Sequence, residues 1–174
     1  MLKEITIIIP LFNRYKEAIR LYNYFISLSS DIKIVILDNS IYPLENIKDV
    51  FSSRNLIYKI FPKETSYAQK LAIGINKYVF TEYAVICAQD DFLIIPAVNK
   101  CISFLKHNKD YSVCRGQTIN FINDKKIAND IVFVKNQKLF SIDEDSPIKR
   151  LNIHLSNYTS TFYAIHRTII LKKI

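Results

Sequence analysis

The chain has 174 residues and a formal net charge of +8, and 49% of its residues are hydrophobic. That length suits one ordinary domain, and the hydrophobic share is too high for a disordered chain. The positive charge admits nucleic acid, an anionic membrane surface or an acidic substrate as partners. No block of basic residues is long enough to favour nucleic acid.

Several features that the sequence lacks exclude whole classes of protein. No run of about 18 apolar residues is present to form a transmembrane helix, and the N-terminus has no secretory signal pattern. Three cysteines, Cys87, Cys101 and Cys114, lack metal-type spacing and fit reduced thiols. We therefore predict a cytoplasmic protein.

The scarcity of glycine is equally informative. Gly74 and Gly116 are the only glycines, so the sequence holds neither the GxGxxG turn of NAD-binding domains nor the glycine loop of P-loop NTPases. Any phosphate group must then be held by a metal ion or by basic side chains.

The first 110 residues predict strands that alternate with helices. Continuous apolar runs predict four buried strands, over residues 5–10, 32–37, 56–60 and 83–88. Helical spacing and caps predict helices from Tyr15, over 44–51, after the capping box of Ser66 and Gln69, and from Pro96. This alternation predicts an α/β fold, a mostly parallel sheet with helices on both faces.

The last third of the chain changes in character. Residues 111–121 and 130–137 predict strands around a polar turn, which suggests an antiparallel addition to the sheet. Residues 141–150 predict a charged loop, and 161–167 a further strand. The final segment, 168–174, predicts a helix that is only beginning, so we interpret the chain as truncated.

Polar residues follow each of the four strands predicted in the first 110 residues. The clusters are Asn13-Arg14, Asp38-Asn39-Ser40, Lys63-Glu64-Thr65 and Gln89-Asp90-Asp91. An isolated Asp after a strand is usually a turn or cap residue. Four clusters at the carboxyl ends of parallel strands, where open α/β sheets bind ligands, instead predict a binding cleft.

The adjacent carboxylates of Asp90 and Asp91 stand between two apolar runs, where they repel each other. A divalent cation would relieve that repulsion. Mg²⁺ and Mn²⁺ prefer oxygen ligands and often complete their shell with phosphates. A metal ion bound by these aspartates could therefore hold a diphosphate in place of the glycine-rich loop that the sequence lacks.

Four segments together resemble the GT-A fold nucleotide-sugar glycosyltransferases, especially the bacterial family 2 enzymes. They are ITIIIPLFNR at 5–14, IVILDNS at 34–40, YAQKLAIGINKY with YAVICAQDDFLIIP at 67–96, and FYAIHRT at 162–168. The resemblance implies a GT-A-like sheet and the transfer of a sugar from a UDP or dTDP donor. It also implies assistance by Mn²⁺ or Mg²⁺, inversion at the sugar, and a glycan or lipid-linked acceptor.

The resemblance also implies roles for residues that bind the donor. Pro10, Asn13 and Arg14 would border the nucleotide. Asp38, followed by Ser40, would accept hydrogen bonds from the base or ribose. A separate residue, Lys70, stands where the family places a basic or polar residue near the diphosphate.

The same resemblance makes Asp91 the metal ligand and places Asp90 by the ribose or the metal. Gln89 stands where many relatives carry an acidic residue, and its neutral amide still accepts a hydrogen bond.

An inverting transferase also needs a base for the acceptor hydroxyl. The candidates are Asp143, Glu144 and Asp145, or a carboxylate beyond the end of the chain.

These expectations describe a single domain over 1–174. Residues 1–110 would form its nucleotide-sugar-binding half, and 111–174 the start of an acceptor half. The protein would be cytoplasmic, with peripheral contact to an anionic inner membrane face as an option.

One alternative is a donor-binding module that is inactive alone. A second is a basic nucleic-acid-binding domain, which predicts steeply salt-dependent binding and has no recognition motif here.

Overall fold

The computed structural model describes residues 2–42, 54–122, 132–136, 140–158 and 160–173, which fall into two units. The first unit comprises Met1–Cys114 and Phe162–Ile174, and the second comprises Arg115–Thr161. The helix predicted over 44–51 lies outside the described residues.

Eight strands lie in the described residues. They are β1 Ile5–Leu11, β2 Lys33–Asp38, β3 Leu56–Ile60, β4 Tyr83–Ile86, β5 Val113–Cys114, β6 Thr118–Ile122, β7 Val132–Asn136 and β8 Ile165–Arg167. Six of them form one sheet in the order β3-β2-β1-β4-β8-β5. Strands β1 to β4 are parallel, β8 is antiparallel to β4, and β5 is antiparallel to β8. The predicted α/β class with a mostly parallel sheet is confirmed.

The helices of the described residues are α1 Tyr15–Leu28, α2 Tyr67–Tyr78, α3 Ile95–His107, α4 Pro147–Ser156 and α5 Thr168–Leu171, after a 3-10 turn at Leu2–Glu4. The capping box predicted at Ser66 and Gln69 is present and begins α2. No helix in this part of the chain is both long and apolar enough to cross a membrane.

Strand β1 is buried along its whole length, at the centre of the parallel strands. Its side chains alternate between two cores. Ile7 and Ile9 belong to the cluster that includes residues of α1 and α3, whereas Ile8 belongs to the cluster with residues of α2. Because successive side chains of a strand point to opposite faces, helices cover both faces of the sheet, as predicted.

A close approach holds α2 against the sheet. A Cβ atom added at Gly74 would lie 2.3 Å from Leu37 Cδ1, so a larger residue here would require the Leu37 side chain to move. This packing fixes the distance of the helix from β2.

Two predictions for the later part of the chain were wrong in detail. The strand predicted over 130–137 is β7, which pairs with β6 in a separate two-stranded sheet. The predicted antiparallel addition to the main sheet is present: β5 lies within the strand predicted over 111–121, and β8 within the strand predicted over 161–167. The charged loop predicted over 141–150 ends where α4 begins at Pro147, because proline suits the first turn of a helix.

Candidate functional site

The loops that follow β1 and β2 are fastened to each other by Asn13. Its backbone N–H donates to the Ser40 hydroxyl at 2.7 Å, and its Oδ1 accepts from the Ile41 N–H at 3.0 Å. Asn13 has a positive φ of 58°, a conformation that Asn tolerates better than most residues with a Cβ. Pro10, just before this loop, is buried within β1.

The carboxylate of Asp38 closes β2 and is 0% exposed. Its Oδ1 accepts from the backbone N–H of Ser40 at 2.8 Å and from the Ser40 hydroxyl. Its Oδ2 accepts from the Tyr58 hydroxyl and lies 3.0 Å from that of Tyr15. A buried carboxylate needs such donors, because leaving it unpaired is costly.

The two tyrosines are suited to remain donors. Burial raises the pKa of Tyr58, and the hydrogen bond to Asp38 raises it further. Burial also raises the pKa of Tyr15. The Tyr15 hydroxyl lies 2.7 Å from the Tyr42 carbonyl as well, and its single proton can serve only one of the two acceptors.

Lys70 links three segments at the same edge of the sheet. Its ammonium is buried, and it donates to the Leu11 carbonyl at 2.9 Å and to Asn39 Oδ1. The amide of Asn39 donates in turn to the carbonyls of Thr65, at 3.0 Å, and Lys63. Burial lowers the pKa of Lys70, and the charge of Asp38 opposes that shift. All these contacts are internal, so contact with a diphosphate stays a prediction for Lys70.

Asp90 is held by the first helix. The guanidinium of Arg14, just before α1, pairs with the Asp90 carboxylate, and Arg20 donates to the Asp90 carbonyl at 3.3 Å. The Arg20 guanidinium also lies over the Phe92 ring, 5.1 Å from its centroid. The Arg14 and Asp90 side chains are 56% and 40% exposed. Because exposed pairs contribute little stability, this pair orients the loop more than it stabilises the fold.

Asp91 has a different donor. The Tyr163 hydroxyl, two residues before β8, donates to Asp91 Oδ2. Burial raises the pKa of Tyr163, and the Asp91 carboxylate raises it further, so the phenol stays protonated. Each of the adjacent carboxylates therefore has a donor of its own, which reduces their mutual repulsion. Gln89 stands beside them, half-buried.

The carboxylates of this edge could hold a cation with help from a bound ligand. In the part of the chain that the structure describes, no group of three or more His, Cys, Asp or Glu side chains could hold a metal. Mg²⁺ is often bound by one or two carboxylates plus substrate phosphates. Asp90 and Asp91 could supply those carboxylates, and a diphosphate could complete the shell.

The three base candidates, Asp143, Glu144 and Asp145, lie exposed in the second unit, before α4. The Arg150 guanidinium donates to the backbone carbonyls of Glu144 and Asp145. These bonds fix the main chain of the segment. A role of these carboxylates as the base stays a prediction.

Sequence reasoning missed the tyrosines that hold the acidic residues. The sequence pattern predicts Tyr15 only as the start of a helix and Tyr58 only as part of a strand. Tyr163 lies in the quoted segment FYAIHRT, but no pattern there indicates a partner 72 residues earlier in the chain. The position of Tyr163, two residues before a strand that neighbours β4, is the signal that could have suggested it.

Comparisons with known proteins give structural matches and no sequence-level match. No protein-family model and no curated protein matches the chain. Crystal structures of Staphylococcus aureus TarS are similar to it. TarS 1–349 has a TM-score of 0.60 at 17% identity, over 98% of this chain and 48% of that one. A longer TarS structure has a TM-score of 0.61 at 16% identity, over 98% and 29%.

A third similar structure is TarS 1–349 in complex with UDP, with a TM-score of 0.59 at 16% identity. It too matches 98% of this chain and 48% of that one, so the chain spans less than half the length of each of these TarS chains. At this identity the likeness concerns the fold. Over nearly its whole length the chain thus shares the fold of these TarS structures.

Proposed function

We propose that the chain binds a nucleoside-diphosphate sugar, of the UDP or dTDP type, at the carboxyl edge of β1, β2 and β4. It would transfer the sugar to a glycan or lipid-linked acceptor. The observation that carries the proposal is the placement of Arg14, Asp38, Asp90 and Asp91 at that edge, at or just after the ends of β1, β2 and β4. The likeness to a protein crystallised with UDP supports it.

The groups of this edge match the parts of such a donor. Asp38, at the end of β2, would lie by the base or ribose, with Asn13 and Ser40 holding the loops around it. Arg14 is half exposed, so its guanidinium can exchange a carboxylate for a phosphate. Pro10 and Gln89 would border the same cleft.

A divalent cation, Mn²⁺ or Mg²⁺, would be held by Asp91, with Asp90 beside it, and by the diphosphate. When bound, such an ion offsets the charge that develops on the departing diphosphate. Tyr163 would keep Asp91 in place, because it donates to one carboxylate oxygen and a carboxylate can accept further contacts. The transfer would invert the sugar, with a carboxylate such as Asp143, Glu144 or Asp145 as base.

A second candidate function is a donor-binding module that needs further chain for transfer. The chain covers only 48% and 29% of the TarS structures, which favours this alternative. Both candidates share the donor site. The formal charge of +8 is compatible with peripheral contact to an anionic membrane in either case.

The donor site is tested by thermal unfolding with UDP, dTDP and ADP, each with and without Mn²⁺. A ligand at about 100 times its dissociation constant adds roughly 2.7 kcal/mol to the free energy of unfolding. We expect stabilisation by UDP or dTDP that is larger with Mn²⁺. The absence of any shift with every nucleotide and metal would contradict the proposal.

A further inference from the structure

Three aromatic rings lie in series beside the acidic residues of the site. The Tyr67 and Phe162 rings are nearly parallel, with centroids 6.4 Å apart and planes 21° apart. The Phe162 ring meets the Tyr163 ring edge-on, at 4.8 Å. The Tyr163 hydroxyl then donates to Asp91. The ring series therefore connects the start of α2 to the acidic pair, and all its members belong to the first unit.

The outermost ring is accessible and firmly placed. Tyr67 is the first residue of α2, and its side chain is 49% exposed. The capping box of Ser66 and Gln69 fixes the start of that helix, and the close packing at Gly74 fixes its distance from the sheet. Partial burial raises the pKa of Tyr67 to about 12, so the ring stays neutral at physiological pH. Folding has thus placed a large neutral ring at the surface, at the start of α2.

We propose that the rings of Tyr67 and Phe162 bind the apolar face of the donor's pyranose and make Tyr67 a specificity-determining residue. This inference rests on the proposed function. Aromatic rings with a few convergent polar groups are typical of small-molecule sites, and the C–H face of a pyranose packs on a neutral ring. The diphosphate expected at Asp91 places the sugar next to Tyr163. The base lies toward Asp38, at the end of β2.

The test measures dissociation constants by calorimetry in the presence of Mn²⁺. The ligands are UDP and three nucleotide sugars: UDP-glucose, UDP-galactose and UDP-N-acetylglucosamine. The proteins are the parent chain, Tyr67→Ala and Tyr67→Phe. The matched control is Phe80→Ala, which removes a ring that is 77% exposed just beyond the other end of α2.

We expect at least one nucleotide sugar to bind the parent more tightly than UDP. Tyr67→Ala should weaken that ligand about three- to tenfold and leave UDP unchanged. Tyr67→Phe should bind like the parent, because only the ring is needed. Phe80→Ala should also bind like the parent. Unfolding curves without ligand show whether each variant is folded.

Other results would overturn the inference. The inference is wrong if Tyr67→Ala keeps the parent's ratio of nucleotide-sugar affinity to UDP affinity. This holds whether the parent binds the two ligands equally or binds the nucleotide sugar more tightly. Equal weakening of both ligands would instead place Tyr67 against the nucleotide. Absence of UDP binding in the parent is a separate result, because it would remove the donor site itself and this inference with it.

Discussion

The phenolic hydroxyl of Tyr163 donates a hydrogen bond to the carboxylate of Asp91, across 72 residues of sequence. The neighbouring Asp90 pairs with Arg14 instead. Two carboxylates that repel each other are thus held apart by different donors from different parts of the first unit. The acidic pair can therefore persist in the folded protein before any cation or diphosphate reaches it.

Asp91→Asn tests the acidic pair. We expect the variant to lose the Mn²⁺-dependent part of the UDP stabilisation, because the amide removes the anionic ligand. Without metal its stability should equal or exceed that of the parent, since the repulsion with Asp90 is gone and the amide oxygen still accepts from Tyr163. Melting curves with and without Mn²⁺ and UDP measure both. If the full metal-dependent shift remains, Asp90 becomes the candidate ligand.

Asp38→Ala tests the buried carboxylate. The substitution removes the carboxylate that accepts from the buried Ser40, through both its backbone N–H and its hydroxyl, and from the Tyr58 hydroxyl. An unsatisfied buried polar group costs about 1–3 kcal/mol, so we expect a loss of at least that size in the free energy of unfolding. Urea unfolding measures it. Ser40→Ala is the control and should cost less, because Asp38 keeps its other donors. A small effect of Asp38→Ala would contradict the hydrogen-bond network.

Tyr58→Phe tests the pH dependence of stability. The pKa of Tyr58 is raised above its usual 10.0, so above pH 10 the unfolded phenol loses its proton while the folded one keeps it. The folded state then binds more protons, and stability falls as pH rises. We expect the parent to lose more stability than Tyr58→Phe between pH 9 and about pH 11. Tyr42→Phe, at a residue that is 83% exposed, should behave like the parent in urea unfolding.

Arg14→Ala separates binding from stability. The half-exposed pair with Asp90 should contribute less than about 1 kcal/mol to folding. A charged hydrogen bond to a phosphate is worth roughly 1.5–3 kcal/mol, so UDP should bind about tenfold or more weakly. Lys3→Ala, which removes another exposed pair, with Asp31 at 3.3 Å, should leave UDP binding unchanged in calorimetry. A strongly destabilised Arg14→Ala protein with parental UDP affinity would contradict this division of roles.

The sequence by itself determined the parallel core and the places where polar residues gather. The apolar runs of β1 to β4, the capping box of α2 and the proline at the start of α3 are local signals. Each of these signals involves only residues of a single helical turn or a single strand. Because the carboxyl ends of parallel strands share one edge, the clusters after β1, β2, β3 and β4 could be assigned to that edge without coordinates.

Only the tertiary structure decided which side chains meet at that edge. The pairing of β7 with β6, the burial of Lys70 beneath Asn39, and the hydrogen bonds from Tyr58 and Tyr163 to two aspartates were not predictable. Hydrophobic period fixes which face of an element is buried. It carries no information on which polar group, 20 or 72 residues away, a buried carboxylate will find. That partner is selected by packing of the whole sheet, because a carboxylate removed from water must accept hydrogen bonds from whatever donors the fold brings within reach.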